Sequence, residues 1–268
     1  MRRPSGRVMV GAAVVTVVLL VAAAGGAAWW RWDTQRQPRV DDVVTDMNTA
    51  VADAVAAAGE DAAVAVSPVV AAADCRLGPL RPGKIFTGKA DLYTDPGGED
   101  ALITTIERNL PPRYAAGRGT AVAGVRPLQA DIGTVTLSVR RLSPGWLAVT
   151  ARSRCSLGAA TEPAAPTGAA PGITAVTQLL AAAGTRPAGI TEQRLRCTTG
   201  DIVTISAVSE RTDTGDLTDR LAPALPSTAR RFTTGDANRI SYRDGPVSVI
   251  VASSDDGTAI TAQHTTGC

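Results

Sequence analysis

Apolar and polar positions divide the chain near residue 30. Val8 to Trp30 is a run of 23 residues without a charge. As an α-helix it is about 35 Å long, enough to cross a bilayer core with some tilt. From Val40 the pattern turns amphipathic. Val40, Val43, Val44, Met47, Val51, Ala54, Val55 and Ala58 recur at three- and four-residue steps, Asp42, Asp46, Thr49 and Asp53 take the other face, and Gly59 supplies a stop. This predicts a helix over 40–58. A strand-like run over 62–70, interrupted by Pro68, follows, and then Cys75 and a Gly/Pro-rich turn.

Residues 84–94 read as a strand, and 99–110 as a short helix closed by Pro111-Pro112. Strand-like runs follow near 119–127, 133–142 and 146–155. In the last two, Val135, Leu137 and Val139, and then Leu147, Val149 and Ala151, alternate with polar residues. Both apolar sets occupy odd positions, so facing pairs must sum to an even number. A plain two-residue turn at Pro144-Gly145 gives odd sums and mixes the faces. The spacing therefore predicts a three-residue loop or a bulge.

A small-residue, proline-rich linker spans 158–172, and after it the order of elements recurs. A helix over 174–183 stops at Gly184 as the first stops at Gly59. A strand over 190–197 ends in cysteine, and Gly200-Asp201-Ile202-Val203-Thr204 parallels Gly83-Lys84-Ile85-Phe86-Thr87. A helix from about 215 ends at Leu225-Pro226, and strands near 229–234, 237–243 and 246–253 precede a last strand to Cys268. The expected protein is α+β. A single N-terminal transmembrane helix (8–30) is followed by a stalk (31–39) and two tandem α-β-β-α-β-β-β units with mainly antiparallel sheets, 40–157 and 173–268.

Charge and cysteines orient this layout. Arg2, Arg3 and Arg7 favour a cytoplasmic tail over residues 1–7, although Arg31, Arg36 and Arg39 flank the other end. All four cysteines follow the apolar run, which suits an oxidising exterior. Trp29, Trp30 and Trp32 fall where an outer aromatic belt belongs. The competing reading is a cleaved signal peptide with Ala22-Ala23-Ala24 at its cleavage site, against which the run is longer than the usual h-region. The duplication selects the pairing Cys75–Cys155 and Cys197–Cys268.

Aromatics make up only 3% of the chain, so its core must come from Ala, Val, Leu and Ile. The net charge is +2; setting aside the three tail arginines leaves 24 basic against 25 acidic residues, which argues against a polyanion binder driven by bulk charge, and no nucleic-acid partner is expected. Lys84 and Lys89 are the only lysines, the bias of a GC-rich genome such as an actinobacterium's.

No nucleophile elbow, zinc-protease motif or phosphate loop is present, and no cofactor or metal is expected. His264 lies in a strand-like stretch and reads as a surface residue, and Asp255-Asp256-Gly257 reads as a turn rather than a calcium loop. The positive signal is arginine. Arg140, Arg152 and Arg154 share the polar face of one hairpin, and Arg194 and Arg196 share a face of a later strand, which suits an anionic surface. The expected function is a membrane-anchored binding or assembly module of a bacterial envelope, not an enzyme, held in lipid by residues 8–30 and facing an envelope protein or polymer. The alternatives are an envelope hydrolase with carboxylates in a cleft between the units, a secreted ligand-binding protein if the N-terminal segment is cleaved, and a sensor whose anchor packs on a partner helix through Gly11, Gly25 and Gly26.

Overall fold

The structure, a computed structural model, describes residues 25, 31, 38–78, 81–122, 124–159, 165–166, 171–198, 200–212, 214–233, 236, 238–254 and 256–267. Residues 1–38 and 39–268 form two units. In the first, Gly25 and Arg31 are helical. The rest of the expected anchor over 8–30 lies outside the described residues. Among the described residues no helix is long and apolar enough to cross a membrane.

The second unit opens with α1 (Val40–Ala58), β1 (Ala63–Gly78), β2 (Arg81–Tyr93) and α2 (Glu99–Asn109). A 3-10 turn, Pro112–Tyr114, leads to β3 (Gly117–Arg118), β4 (Leu128–Ile132), β5 (Val135–Ser143) and β6 (Trp146–Ser153). Then come α3 (Pro171–Ala182), β7 (Pro187–Arg196), β8 (Asp201–Ser209), α4 (Leu217–Leu221) and a second 3-10 turn, Ala222–Ala224. The chain closes with β9 (Arg230–Phe232), β10 (Arg239–Asp244), β11 (Val247–Ser253) and β12 (Ile260–Thr266).

The fold is α+β, with two six-stranded antiparallel sheets. Their strand orders are β1-β2-β6-β5-β4-β3 and β7-β8-β12-β11-β10-β9, the same order twice. The registers match as well. A row of apolar residues crosses the first sheet as Val66, Ala90, Val149, Val139 and Leu128. Its counterpart in the second is Ile190, Ala207, Ala262, Val251 and Ile240. In each half this face packs under the helices. Met47, Val51, Ala54 and Val55 of α1 join the first core, and Val176, Leu179 and Leu180 of α3 join the second.

The hairpin after β5 solves its parity problem with a bulge. Ser143 faces Trp146 across a two-residue turn, a register shift skips Leu142, and Arg141 then faces Leu147 with every later pair on an even sum. Gly145 has φ +74, and a Cβ there would lie 2.7 Å from the Thr94 carbonyl oxygen, so the turn requires glycine.

Other boundaries differ from the sequence pattern. Pro68 does not interrupt β1, because it sits in a register shift on an edge strand where its missing N–H leaves no ladder bond unmade. Among the described residues the run near 119–127 forms only a Val122–Val125 bridge, and the pairing strand is the next five residues, β4. The second helix of the later half shrinks to α4 and a 3-10 turn because Pro223 cannot continue an α-helix.

Cys75 and Cys155 are joined by a disulfide with Cα atoms 5.9 Å apart. Cys75 lies on β1, Cys155 follows β6, and β2 runs between them at Gly83, the residue facing Cys75. A Cβ on Gly83 would stand 2.8 Å from Cys155 Sγ and 3.0 Å from the Ser156 carbonyl oxygen. Gly83→Ala is therefore expected to destabilise the protein by about 1–3 kcal/mol through overpacking. A urea midpoint unchanged from wild type would show that the bridge has room to move. Cys197 is also disulfide-bonded; Cys268 lies outside the described residues.

The two halves are fused. Leu195 of β7 and Ile202 of β8 belong to the core built around α1. Ala63, Ala65 and Tyr93 of the first half pack with Phe232 and Ile250 of the second. Arg243 donates to the carbonyls of Gly59 and Ala62 just past α1, at 2.8 and 3.2 Å, and the Val66 amide of edge strand β1 donates to Thr204 Oγ1 at 3.4 Å.

Candidate functional site

The outward face of the first sheet carries the three arginines singled out above. On β5 the odd residues turn into the core, so Thr136, Ser138 and Arg140 turn outward; on β6 Thr150 and Arg152 do the same, with Arg154 just past the strand end. Arg152 stands opposite Thr136, four residues along β5 from Arg140, a separation of about 13 Å along the strand. All three arginines are exposed, and none makes an ion pair or side-chain hydrogen bond among the described residues. They form a stripe rather than a converging cup. A stripe suits an extended anionic surface better than a single small anion.

Arg194 and Arg196 lie apart from this stripe, on β7 at the edge of the second sheet. Both are exposed, but Arg194 is already neutralised by Glu192 at 2.8 Å and Asp201 at 3.2 Å. These carboxylates also hold its guanidinium pKa above the usual value.

One end of the outward face is closed by an aromatic joint between the halves. Tyr93 and Trp146 stack with ring centroids 5.8 Å apart, and the Arg239 guanidinium of the second half lies 4.3 Å from the Trp146 ring and 5.6 Å from the Tyr93 ring. The Trp146 Nε1–H donates to Asp91 at 2.8 Å, and Lys89 pairs with the same carboxylate at 2.8 Å. Burial pushes the Tyr93 hydroxyl pKa well up, which keeps it protonated. Such cation–π contacts are worth about 0.5–2 kcal/mol each. The joint is structural, since Trp146 is held by the Tyr93 ring, the Arg239 guanidinium and the Asp91 carboxylate together.

Beneath the joint, Glu99 fastens the start of α2 to the β5–β6 turn. Its carboxylate is 3% exposed and accepts from the Gly145 amide at 2.6 Å and the Gly97 amide at 2.9 Å, with Arg141 Nε at 3.5 Å. Burial raises its pKa, but these amides and Arg141 outweigh that and hold it below its ordinary 4.5. A lowered folded pKa means that the stabilisation is present above the unfolded value. It fades as pH falls below about 4.5 and is gone once pH passes the folded value. Glu99→Gln is expected to cost about 1–3 kcal/mol at pH 7 and progressively less below pH ~4. Urea unfolding of both proteins across pH 3–7 checks this, and a pH-independent difference would count against it.

Three clefts bear on catalysis. The one lined by both halves, about 300 Å³, includes Glu60, Arg243 and Thr265 and has Glu60 as its one carboxylate residue among those described. It does not supply the pair that glycoside hydrolysis needs. A second, about 450 Å³, lies wholly in the later half and gathers Asp216, Asp219 and Asp236 with Arg231 and Arg239. There the Asp216 carboxylate is engaged as the N-cap of α4, accepting from the amides of Thr218 and Asp219. The third, about 400 Å³, lies between α3 and the second sheet and includes His264. His264 is buried between Ile205 and Val249, and burial holds its pKa below the usual imidazole value.

Among the described residues no three His, Cys, Asp or Glu side chains cluster as a metal site. Asp256 is taken up locally: Ser254 and Thr258 donate to its carboxylate, which lowers its pKa to about 2. The chain matches no described protein family, no curated protein and no solved structure.

Proposed function

We propose that the protein is a membrane-anchored, extracytoplasmic binding or assembly module of a bacterial envelope. Residues 8–30 lie in the membrane, 1–7 in the cytoplasm and 40–268 outside. The observation that supports this most is the stripe of Arg140, Arg152 and Arg154, exposed and without carboxylate partners among the described residues, on a sheet of a disulfide-bonded body. Its complement is an anionic envelope polymer or the acidic face of an envelope protein. The test is purification of the intact protein from its own membranes beside the triple variant Arg140→Gln, Arg152→Gln, Arg154→Gln. Wild type is expected to retain a polymer or protein that the variant loses. Repeated isolation of wild type with no specific companion overturns the reading.

We also infer that residues 40–157 and 173–268 are copies of one ancestral unit, which supports the reading as a repeated presentation module. The matched rows make the cysteines equivalent. Cys155 stands six residues past Val149 and Cys268 six past Ala262. Cys75 stands nine past Val66 and Cys197 seven past Ile190, and the two register shifts in β1 between Ser67 and Ala73 account for the difference. A non-reducing peptide map is expected to recover Cys197–Cys268 and an intact N-terminus. A mature start near Gly25 would instead make this a released protein.

A further inference from the structure

One difference between the matched halves lies where α1 in the first and α3 in the second cross their sheets. In the first half the 3-10 turn after α2 sends Tyr114 into that space. The residue is 1% exposed and lines a cleft together with Ala130 of β4, and its hydroxyl donates to Asp53 of α1 at 2.6 Å. Tyr114 thus fills a slot between helix and sheet and ends on a carboxylate.

The second half has the slot without the plug. Counting back from the helix-ending glycines Gly59 and Gly184, Ala50 and Asp53 correspond to Ala175 and Gln178. On the strands, two residues along from the matched rows, Ala130 corresponds to Tyr242 and Ala151 to His264. The chain after α4 brings only Ala224 and Pro226 here, and an open cleft of about 400 Å³ remains, whose lining includes Ala175, Gln178, Leu179, Tyr242, His264 and Asp244, the last a carboxylate that accepts from Thr228 Oγ1 at 3.0 Å. Burial follows the difference. Ala50 is fully buried, whereas Ala175 is partly exposed; Val135 is 1% exposed, whereas its counterpart Val247 is partly exposed.

We propose that this cleft is a binding site for a para-substituted phenol, which occupies in the second half the place that Tyr114 occupies in the first. The apolar walls take the ring, and Gln178, at the position of Asp53, receives the hydroxyl on its amide oxygen. His264 sits where the first half has only Ala151, and with Asp244 it adds two further polar groups to the lining. The volume lies in the range of small-ligand sites, and apolar walls with a few placed polar groups are the make-up of such sites. The proposal stands apart from the anchored-module reading: loss of phenol binding leaves capture by the arginine stripe untouched, and the reverse holds too.

The test titrates the intact protein with 4-ethylphenol and with N-acetyltyrosinamide, by calorimetry and ligand-detected NMR. The expected result is saturable binding of 4-ethylphenol to one site per chain, with a Kd of about 1 mM or tighter for a ligand of this size. Ala175→Phe, which fills the slot from the partly exposed helix face, is expected to abolish it. Gln178→Ala, at an exposed position, is expected to weaken it about threefold to tenfold. Equal binding of N-acetyltyrosinamide would assign the ring to a polypeptide's tyrosine, and its exclusion to a free phenol; either supports the site. No saturable binding of either probe, or binding unchanged in folded Ala175→Phe, overturns the proposal.

Discussion

Replacing Cys75 and Cys155 together by serine is expected to lower the unfolding free energy by about 2–5 kcal/mol, the largest effect of any change outside the cores. The bridge closes a sequence separation of 80 residues, and the chain-entropy model assigns a loop of that length about 4–5 kcal/mol as an upper figure. The bridge also acts locally. Val70 to Asp74 are all exposed, so the outer part of β1 has little packing beneath it and is held by its ladder to β2 and by the disulfide. The double variant should therefore show faster amide exchange in residues 70–85 before it shows global loosening. Urea unfolding of the oxidised wild type beside the variant gives the first number, and hydrogen exchange resolved by segment gives the second. A variant with an unshifted midpoint would mean that the bridge constrains a segment already fixed by the ladder.

Tyr114→Ala is expected to be nearly as damaging, at about 3–5 kcal/mol. The ring is the largest side chain among those fully buried, and its removal leaves a hole under α1 that the flanking helix and sheet cannot close. The hydroxyl is a smaller part of the effect. Burial and the bond to Asp53 push its pKa up to about 12, so it stays a donor at neutral pH. Tyr114→Phe should cost only about 1 kcal/mol, since Arg113 still pairs with Asp53. Thermal unfolding of the three proteins separates ring from hydroxyl. Equal losses for the Ala and Phe variants would mean that the Asp53 bond, and not the filled volume, holds the turn down. The Ala variant should also be restabilised by 4-ethylphenol, because a ligand that binds only the folded state shifts the equilibrium towards it.

Periodicity made most of the elements legible. α1 was read from its three- and four-residue spacing, and the β5–β6 hairpin yielded the need for a bulge, because parity along two strands is a strict constraint. β4 was missed. It is five residues long, opens after Pro127 and carries Asp131, so its alternation is too short to stand out from the loop before it. The length of β1 was also missed, since Pro68 reads locally as a break and only the register shifts opposite β2 make room for it.

The arginine stripe was visible as a shared face, and so was a warning about Arg194. Glu192, two residues earlier, shares that face in any strand and was a sufficient signal for the pair. Arg239 over Trp146 left no trace in the sequence, because the contact joins residues 93 apart across two sheets. The same holds for Tyr114 with Asp53, 61 residues apart. Each residue is ordinary in its local pattern, and only the stacking of layers brings it to its partner.

The placement of Leu195 and Ile202 inside the first core has a consequence for biosynthesis. The first half is complete in sequence at Leu157, but its hydrophobic interior is not complete until Leu195 and Ile202 have been made, about 40–45 residues later. At usual translation speeds that is a delay of about 2–10 s. During it the core around α1 lacks two of its apolar members, although both Cys75 and Cys155 have already been synthesised. The first core thus stays open during synthesis until later strands arrive, and the final packing step belongs to residues synthesised after the part they stabilise.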